Sequence, residues 1–333
     1  MRLLHTCWLA VVMTFFQFGC SSMPDTGEKK GHRYLKCAAR ISAAQDTEAK
    51  GEGWSLSVED SIARISIRPA GESVVLGALA GPVTPGPAAD ANIQKALAAF
   101  REMGVHAVVF AGGAGKTAQD ISWTLSRLVR TRVPVLVIPG AGESYDDFSS
   151  VVDEIRESSE NLVDMSRVRR ADFGSLSIVS IPGWHEVHNL AAGERACSFT
   201  RADLKPLEKL IRKAPSPVLL FAAAPPRDTG ENGVDRALGG ANAGSEEIAD
   251  LIVKESVGFG IFSGIADSAG HASTLSGSPA DGIMESAWHS RAFINAGTVD
   301  AVPVTTVDGS VSLGLYTIVE VDGRKMRFSI HWL

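Results

Sequence analysis

Charged residues are scarce in this chain, and cysteine is rare. Only 21% of the 333 residues are charged, and four cysteines stand beside 33 glycines. So small a charged fraction argues against a disordered chain and is typical of a compact α/β protein with many tight turns. The formal net charge of −6 argues against nucleic acid as the main partner. No Gly-x-Ser-x-Gly motif follows a strand-like segment, so the sequence does not support Ser-His-Asp catalysis.

The first twenty residues have the pattern of an export signal. Arg2 precedes Cys7–Phe18, a stretch that is almost entirely apolar but too short to cross a membrane as a helix. Its end, Gly19-Cys20-Ser21-Ser22, resembles the processing site of a bacterial lipoprotein, which implies lipidation at Cys20. Ordinary secretion and an uncleaved anchor are the alternatives, and all three export the body of the protein.

The sequence therefore divides into three parts. Residues 1–20 are predicted to be a signal peptide, 21–50 a polar tether with an N-terminal arm, and 51–333 one folded domain. The lipid would hold the protein on a membrane of the bacterial cell envelope, facing the periplasm or the exterior. Cys37 and Cys197 remain after processing, and an exported compartment permits a disulfide between them. Two unpaired thiols are the alternative.

Strand-like and helix-like segments alternate through the middle of the chain. Buried strands such as Val74–Leu79 and Val105–Phe110 are followed by amphipathic helices such as Ala91–Met103. From Gly258 onward the pattern is mostly β. An earlier hairpin is predicted around Glu59-Asp60. Strands that alternate with helices in the first part of the domain, followed by hairpins in the last part, predict an α/β protein with mixed sheets. A purely parallel doubly wound sheet is not predicted.

The loops that follow the predicted strands are the most informative part of the sequence. Val133–Glu143 reads as a buried strand that runs directly into a tight loop, where an α/β enzyme normally places its working side chains. Here the loop carries Gly140, Ala141 and Gly142, which can neither bind a metal nor move a proton. The loops after the other comparable strands likewise lack side chains that could bind a metal or transfer a proton.

Together these loops resemble the motifs of the calcineurin-like metallophosphoesterases. The family's Asp-x-His-Gly motif falls on Ala78-Leu79-Ala80-Gly81, and its Gly-Asp motif falls on Gly112-Gly113. The Gly-Asn-His-Asp/Glu motif falls on Gly140-Ala141-Gly142-Glu143, and the His before prolines falls around Ala223-Ala224-Pro225-Pro226. Gly-His-x-His falls on Gly264-Ile265-Ala266-Asp267, and the closing Asn-x-Gly is present as Asn295-Ala296-Gly297. The resemblance spans roughly residues 73–333 and implies a four-layer α/β/β/α sandwich of two mixed sheets.

The metal ligands of that family are missing from this chain. The corresponding residues are Ala78, Ala80, Gly113, Ala141, Gly142, Ala223, Ile265 and Asp267. Only Asp267 is a potential ligand, and one carboxylate cannot hold two divalent cations or position a nucleophilic water. The resemblance therefore implies a protein without metal cofactors or catalytic residues, which binds or scaffolds an unknown protein or small ligand. A cleft lined by Ala80, Gly113, Ala141 and Ala223 would be the place for a small ligand or a peptide, unless the protein's own loops fill it.

Two other functions are open at this point. An active phosphoesterase could hold two divalent metals with displaced ligands, taken from His185, Glu186 and His188 or from Asp228, Glu231 and Asp235. Alternatively, Phe110–Thr117 approximates a nucleotide-binding P-loop, with backbone amides and Lys116 around a phosphate. The ordinary interpretation of the first set is a solvated loop, and that of the second is a glycine-rich turn.

Overall fold

The computed structural model describes residues 35–41, 47–68, 71, 73–81, 83–186, 190–215, 217–277 and 283–333. The predicted signal peptide and Cys20 lie outside the described residues, as do most of the predicted tether and His188. Within the described part, no helix is both long and apolar enough to cross a bilayer.

Six strands form the first sheet, four of them parallel. In spatial order they are β17 (Lys325–Trp332), β16 (Leu315–Asp322), β4 (Ser73–Leu79), β5 (Ala107–Phe110), β6 (Val135–Val137) and β7 (Leu162–Asp164). Strands β4 to β7 run parallel, while β16 is antiparallel to both β4 and β17. The carboxyl ends of β4, β5 and β6 therefore meet at one edge of this sheet.

Nine strands form the second sheet, which also mixes directions. In spatial order they are β1 (Thr47–Gly51), β2 (Trp54–Glu59), β3 (Ile62–Ile67), β8 (Arg170–Asp172), β9 (Ser177–Ile181), β10 (Val218–Ala222), β11 (Phe259–Phe262), β13 (Ala292–Asn295) and β12 (Ala272–Ser273). Strands β9, β10, β11 and β13 are parallel. A separate hairpin pairs β14 (Val304–Thr305) with β15 (Val311–Ser312).

Five α-helices cover the outer faces of the two sheets in the described part of the chain. They are α1 (Pro87–Glu102), α2 (Ala118–Leu128), α3 (Tyr145–Arg156), α4 (Arg201–Arg212) and α5 (Glu246–Lys254). Their boundaries follow local chemistry: Pro87 begins α1, and capping boxes built on Thr117 and Thr200 begin α2 and α4. The fixed φ of proline and the paired side-chain caps suit the first turn, whose amides have no partner inside the helix.

The hydrophobic core has three parts, and together they define four layers. The central part packs one face of each sheet against the other, for example Leu76 and Val109 with Phe221 and Ile261. A second part joins the outer face of the six-stranded sheet to α1, α2 and α3. The third joins the nine-stranded sheet to α4 and α5. This arrangement confirms the predicted α/β/β/α sandwich of two mixed sheets.

The predicted elements recur with shifts of a few residues, and several short strands were not predicted. The hairpin of β2 and β3 is confirmed, with Asp60 at φ 55° in its turn. The predicted N-terminal arm contributes its last residues to β1, and Leu35 pairs with Cys197 in an isolated bridge. Sequence periodicity missed β7, β8, β12, β14 and β15, each of only two or three residues.

The N-terminal segment is fixed to the second sheet by a disulfide and by a buried arginine. Cys37 and Cys197 are bonded across 160 residues of sequence. Arg169 is fully buried and donates from Nη1 to the Ala38 carbonyl at 2.9 Å and from Nη2 to the Ser180 carbonyl at 2.5 Å. Burial lowers the pKa of Arg169 to about 9. The carbonyl groups around the guanidinium compensate part of the cost of burying it.

We predict that removing this disulfide lowers stability without changing the fold. The double variant Cys37→Ser/Cys197→Ser should lose about 2–4 kcal/mol of unfolding free energy, because the bond closes a long loop in the unfolded chain. Urea denaturation measures the loss. A reducing agent should destabilise the wild type and leave the double variant unchanged. Equal unfolding free energies for the two proteins would contradict the assignment.

Candidate functional site

A cavity lies where the parallel strands of both sheets end. Its volume is about 530 Å³, and it is bordered by the loops that follow β4, β5, β6, β10 and β11. The lining residues are mostly glycine and alanine, with a few larger side chains: Gly81, Val83, Thr84, Pro85, Ala111, Gly112, Gly113, Gly115, Lys116, Asp120, Gly140, Ala141, Gly142, Trp184, Ala191, Ala223, Ser263 and Gly264. Of the residues predicted to line a cleft, Gly113, Ala141 and Ala223 do so, whereas Ala80 is completely buried and does not.

The loops after β4 and β5 are in direct backbone contact. Gly81 donates its amide to the Gly112 carbonyl at 2.8 Å, and Val83 donates to the Gly113 carbonyl at 2.8 Å. A Cβ atom on Gly81 would lie 1.8 Å from the Gly113 carbonyl oxygen, so only glycine permits this approach. Ala78 and Ala80 are completely buried and present only methyl groups. Neither Ala78 nor Ala80 therefore offers a side-chain atom that could bind a metal.

The second motif follows a backbone path that favours glycine. Gly112 and Gly113 both have φ 83°, a left-handed conformation that residues with a Cβ rarely adopt. A Cβ on Gly112 would lie 2.8 Å from Gly140 Cα, which is closer than real Cβ contacts. The resemblance aligns Gly113 with an aspartate of the family, and the backbone at Gly113 is unfavourable to such a side chain.

Glu143 connects the loops after β5 and β6. Its side chain is fully buried, and Oε1 accepts hydrogen bonds from the amides of Gly113 at 2.6 Å and Ala114 at 2.7 Å. Oε2 accepts from the Gly140 amide at 3.0 Å. Burial raises the pKa of the Glu143 carboxyl, and the hydrogen bonds from Ala114, Gly140 and Gly113 oppose that rise. A single carboxylate thus satisfies three backbone donors at the ends of two strands.

The third and fourth motif positions add no metal ligand. Ala141, Gly142 and Ala223 line the cavity with methyl groups and backbone atoms. Ser263, which follows β11, donates its hydroxyl to the Ala111 carbonyl at 2.6 Å and so links the second sheet to the first. The cavity wall is thus held by hydrogen bonds between loops, which leaves these donors and acceptors engaged within the protein.

The fifth motif and the closing Asn-x-Gly motif each retain one polar side chain, and both side chains have structural partners. Asp267 accepts the Leu238 amide at 2.8 Å on Oδ2 and is not among the residues that line the cavity. Ile265 is half-buried beside it. Asn295 is fully buried, and its Nδ2 donates to the carbonyls of Val234 and Ile265, each at 2.9 Å. These contacts fix the loop after β11 against a neighbouring loop.

The described residues among those considered for displaced ligands do not form a cluster of three or more ligands. In the described part of the chain, no group of three or more His, Cys, Asp or Glu side chains could hold a metal ion. Asp228 accepts from Ser273 Oγ at 2.5 Å, and Asp235 accepts from Asn242 Nδ2 at 3.0 Å, while Glu231 is exposed. The distance from His185 Nε2 to Glu186 Oε1 is 3.9 Å. Burial lowers the pKa of His185, which favours its neutral form.

The P-loop-like segment has part of its phosphate-binding backbone already occupied. The amides of Gly113 and Ala114 point at Glu143 Oε1, so an internal carboxylate stands where the nucleotide hypothesis needs a phosphate. Thr117 caps α2 by accepting the Asp120 amide at 3.2 Å. Lys116 is exposed at the rim of the cavity. The segment works here as a loop that ends β5 and begins α2.

Sequence reasoning placed the cavity but missed the residues that organise it. Glu143 was matched only as the last letter of a motif, although a lone acid in a glycine-rich strand-end loop is a signal for a backbone-binding role. Trp184 forms a wall of the cavity, where its ring lies close to Gly264, and no motif in the sequence indicates this role. The role of Ser263 has no signal in the sequence, because its partner lies 152 residues away.

Comparison with solved structures agrees with the fold. The structure of TT1561 from Thermus thermophilus superposes with a TM-score of 0.51 at 13% identity, covering 77% of this chain and 98% of its own. Another solved structure gives a TM-score of 0.56 at 10% identity, with the same coverage of 77% and 98%. A dimetal phosphatase from Danio rerio gives 0.49 at 13% identity, covering 78% of this chain and 98% of its own.

The chain shares its fold with the two structures that superpose at TM-scores of 0.51 and 0.56. At identities of 10% and 13% the superpositions show the fold alone and carry no information on activity. No family model matches the sequence, and no curated protein is significantly similar to it.

We predict that Glu143→Gln destabilises the protein through the loops of the site. The amide nitrogen of glutamine cannot accept a hydrogen bond, so at least one buried backbone donor loses its partner, at a cost of about 1–3 kcal/mol. Chemical denaturation of Glu143→Gln measures this cost, with Glu154→Gln on the exposed surface of α3 as the matched control. If both variants were as stable as the wild type, Glu143 would not hold the loops together.

Proposed function

We propose that this chain is a non-catalytic, metallophosphoesterase-like protein that is exported and lipid-anchored and has a binding or scaffolding role. The observation that supports the proposal is the contact between Glu143 and the amides of Gly113, Ala114 and Gly140. At the strand ends where this fold would hold two metals, the protein instead has a buried carboxylate bonded to its own backbone.

The residues at the motif positions do not fit a two-metal centre. Zinc is usually held by four ligands and larger divalent cations by six or more, supplied by carboxylate, imidazole, thiolate or carbonyl groups. The motif positions offer alanine, glycine and Ile265, while Asp267 is bonded to the Leu238 amide. Glu143 is fully buried beside the cavity loops, and both of its oxygens already accept backbone amides. We therefore derive no catalytic step through a metal.

The cavity has the character of a binding site. Small residues leave about 530 Å³ open, and Trp184, Val83 and Pro85 supply apolar wall area. Lys116 and Asp120 at the rim add a positive and a negative charge. Pockets that are mostly apolar with a few polar groups are typical of small-ligand and peptide sites. Such a ligand or peptide is the partner that we propose for this end of the protein.

Metal content and turnover test the proposal together. We predict far less than one equivalent of Mn, Fe or Zn per chain when the protein is purified without chelators and measured by elemental analysis. We also predict no hydrolysis of p-nitrophenyl phosphate or bis-p-nitrophenyl phosphate above a blank with added metals, because the described residues form no metal-binding cluster that could activate water. An active dimetal phosphatase, assayed in parallel, is the positive control.

The active alternative makes the opposite prediction. A phosphoesterase with displaced ligands would contain about two metals per chain, and its turnover would disappear in a variant such as His185→Ala while the fold remained intact. That outcome would overturn the non-catalytic proposal.

The lipid anchor is a separate part of the proposal, supported by Gly19-Cys20-Ser21-Ser22 after an apolar stretch. We predict that the mature wild-type protein carries covalent acyl chains on an N-terminal Cys20 and partitions with membranes. Cys20→Ala should lack this modification. Intact-mass measurement distinguishes the two, with Cys7→Ala as the control that should still be modified. A wild-type mass without acyl chains would contradict the anchor.

A further inference from the structure

A second concave surface lies at the opposite end of the parallel strands from the cavity. It is an open groove of about 710 Å³ between the starts of β5 and β6, the ends of α1 and α2, and one end of the β2–β3 hairpin. Four arginines line it: Arg68, Arg101, Arg130 and Arg132. We refer to this surface as the arginine groove. None of the motifs discussed above contributes to it.

The arginine groove is positively charged in a protein that is negative overall. Its lining includes one acid, Glu52, which bonds to Arg132 Nη1 at 2.9 Å. Four arginines less one glutamate leave a formal charge of +3 in the lining, against −6 for the whole chain. Within the described residues, the guanidinium groups of Arg68, Arg101 and Arg130 have no hydrogen bond or ion pair with an acid, and all three side chains are exposed.

Helix ends explain part of this charge but not all of it. Arg101 lies in the last turn of α1 and Arg130 just after α2, where positive charge complements the carbonyl end of a helix. Arg68 follows β3 instead, and its amide donates to the Gly53 carbonyl at 2.7 Å. Arg132 lies in the loop before β6, where its carbonyl accepts from Trp54 Nε1 at 2.6 Å. Three separate segments thus bring four arginines to one surface: the end of β3, the end of α1, and the connection between α2 and β6.

Other residues that line the groove are apolar or uncharged. Leu97, Ile67 and Val133 are half-buried apolar residues between the arginines. His106 accepts the Val75 amide on Nδ1 at 3.0 Å, and burial lowers its pKa, so it adds no charge at neutral pH. The positive charge of the groove therefore comes from guanidinium groups, which stay protonated at all physiological pH values.

We propose that the arginine groove binds a soluble small molecule that carries two or more phosphate groups. Guanidinium groups form paired hydrogen bonds with phosphate oxygens, and a compact polyanion can contact several arginines at once within about 710 Å³. A single exposed ion pair is worth little, so affinity requires several charges on one ligand. This site is independent of the cavity and of the function proposed for it.

Calorimetric titration with inorganic tripolyphosphate tests the assignment at about 0.05 M and about 0.5 M NaCl. We expect saturable 1:1 binding to the wild-type protein that weakens at the higher salt concentration. The double variant Arg101→Gln/Arg130→Gln should bind roughly tenfold more weakly or worse, since each lost contact is a charge-assisted hydrogen bond. The single variant Arg68→Gln leaves both helix ends unchanged and should also weaken binding. It provides the test if the double variant is unstable.

The matched control removes the same charge elsewhere. Lys205 and Lys209 are exposed on α4, in the helical layer that packs on the nine-stranded sheet. The double variant Lys205→Gln/Lys209→Gln should bind tripolyphosphate as the wild type does. Inorganic monophosphate should bind more weakly than tripolyphosphate. Equal loss in the groove and control variants would show a general charge effect and overturn the proposal. So would absence of tripolyphosphate binding, including the case in which the protein binds only vesicles that contain phosphatidylglycerol.

Discussion

The cavity end of the protein depends on the hydrogen bonds between the buried carboxylate of Glu143 and three backbone amides. A carboxylate removed from water is costly unless it is hydrogen-bonded, and here three backbone amides bond to it. Those amides belong to loops after two neighbouring strands, so the carboxylate fixes their separation. The contact between Gly81 and Gly113, which only glycine permits, brings the loop after β4 into the same assembly. The strand ends are consequently joined to one another, and their motif positions present no free side-chain ligand for a metal.

The two concave surfaces share their supports. Strand β5 is preceded by His106, which lines the arginine groove, and is followed by Ala111, which lines the cavity. Helix α2 begins at the cavity beside Lys116 and ends in the groove near Arg130. Each element thus has one end at the cavity and the other end at the arginine groove. A ligand in the groove and a ligand in the cavity would contact the same rigid layer without competing for residues.

Much of the fold follows from the sequence because its signals are local. Periodicity identified the long strands and helices, and the resemblance of the strand-end loops to the motifs of a known family implied the sandwich. Strands of three residues, such as β7 and β8, are too short to show a period. The pairing of Cys37 with Cys197 was left open because it links segments 160 residues apart. The role of Glu143 depends on amides 29 and 30 residues earlier in the chain. The arginine groove draws its arginines from three separate segments, and no motif marks it.

Titration with Mn²⁺ monitored by electron paramagnetic resonance tests the central claim most directly, because free aqueous Mn²⁺ gives a six-line signal that is lost on binding to a protein. With the strand ends joined through Glu143, we expect the signal to rise in proportion to added Mn²⁺, as in buffer alone. Loss of about two equivalents of signal per chain, at micromolar protein concentration, would show a two-metal centre and contradict the account.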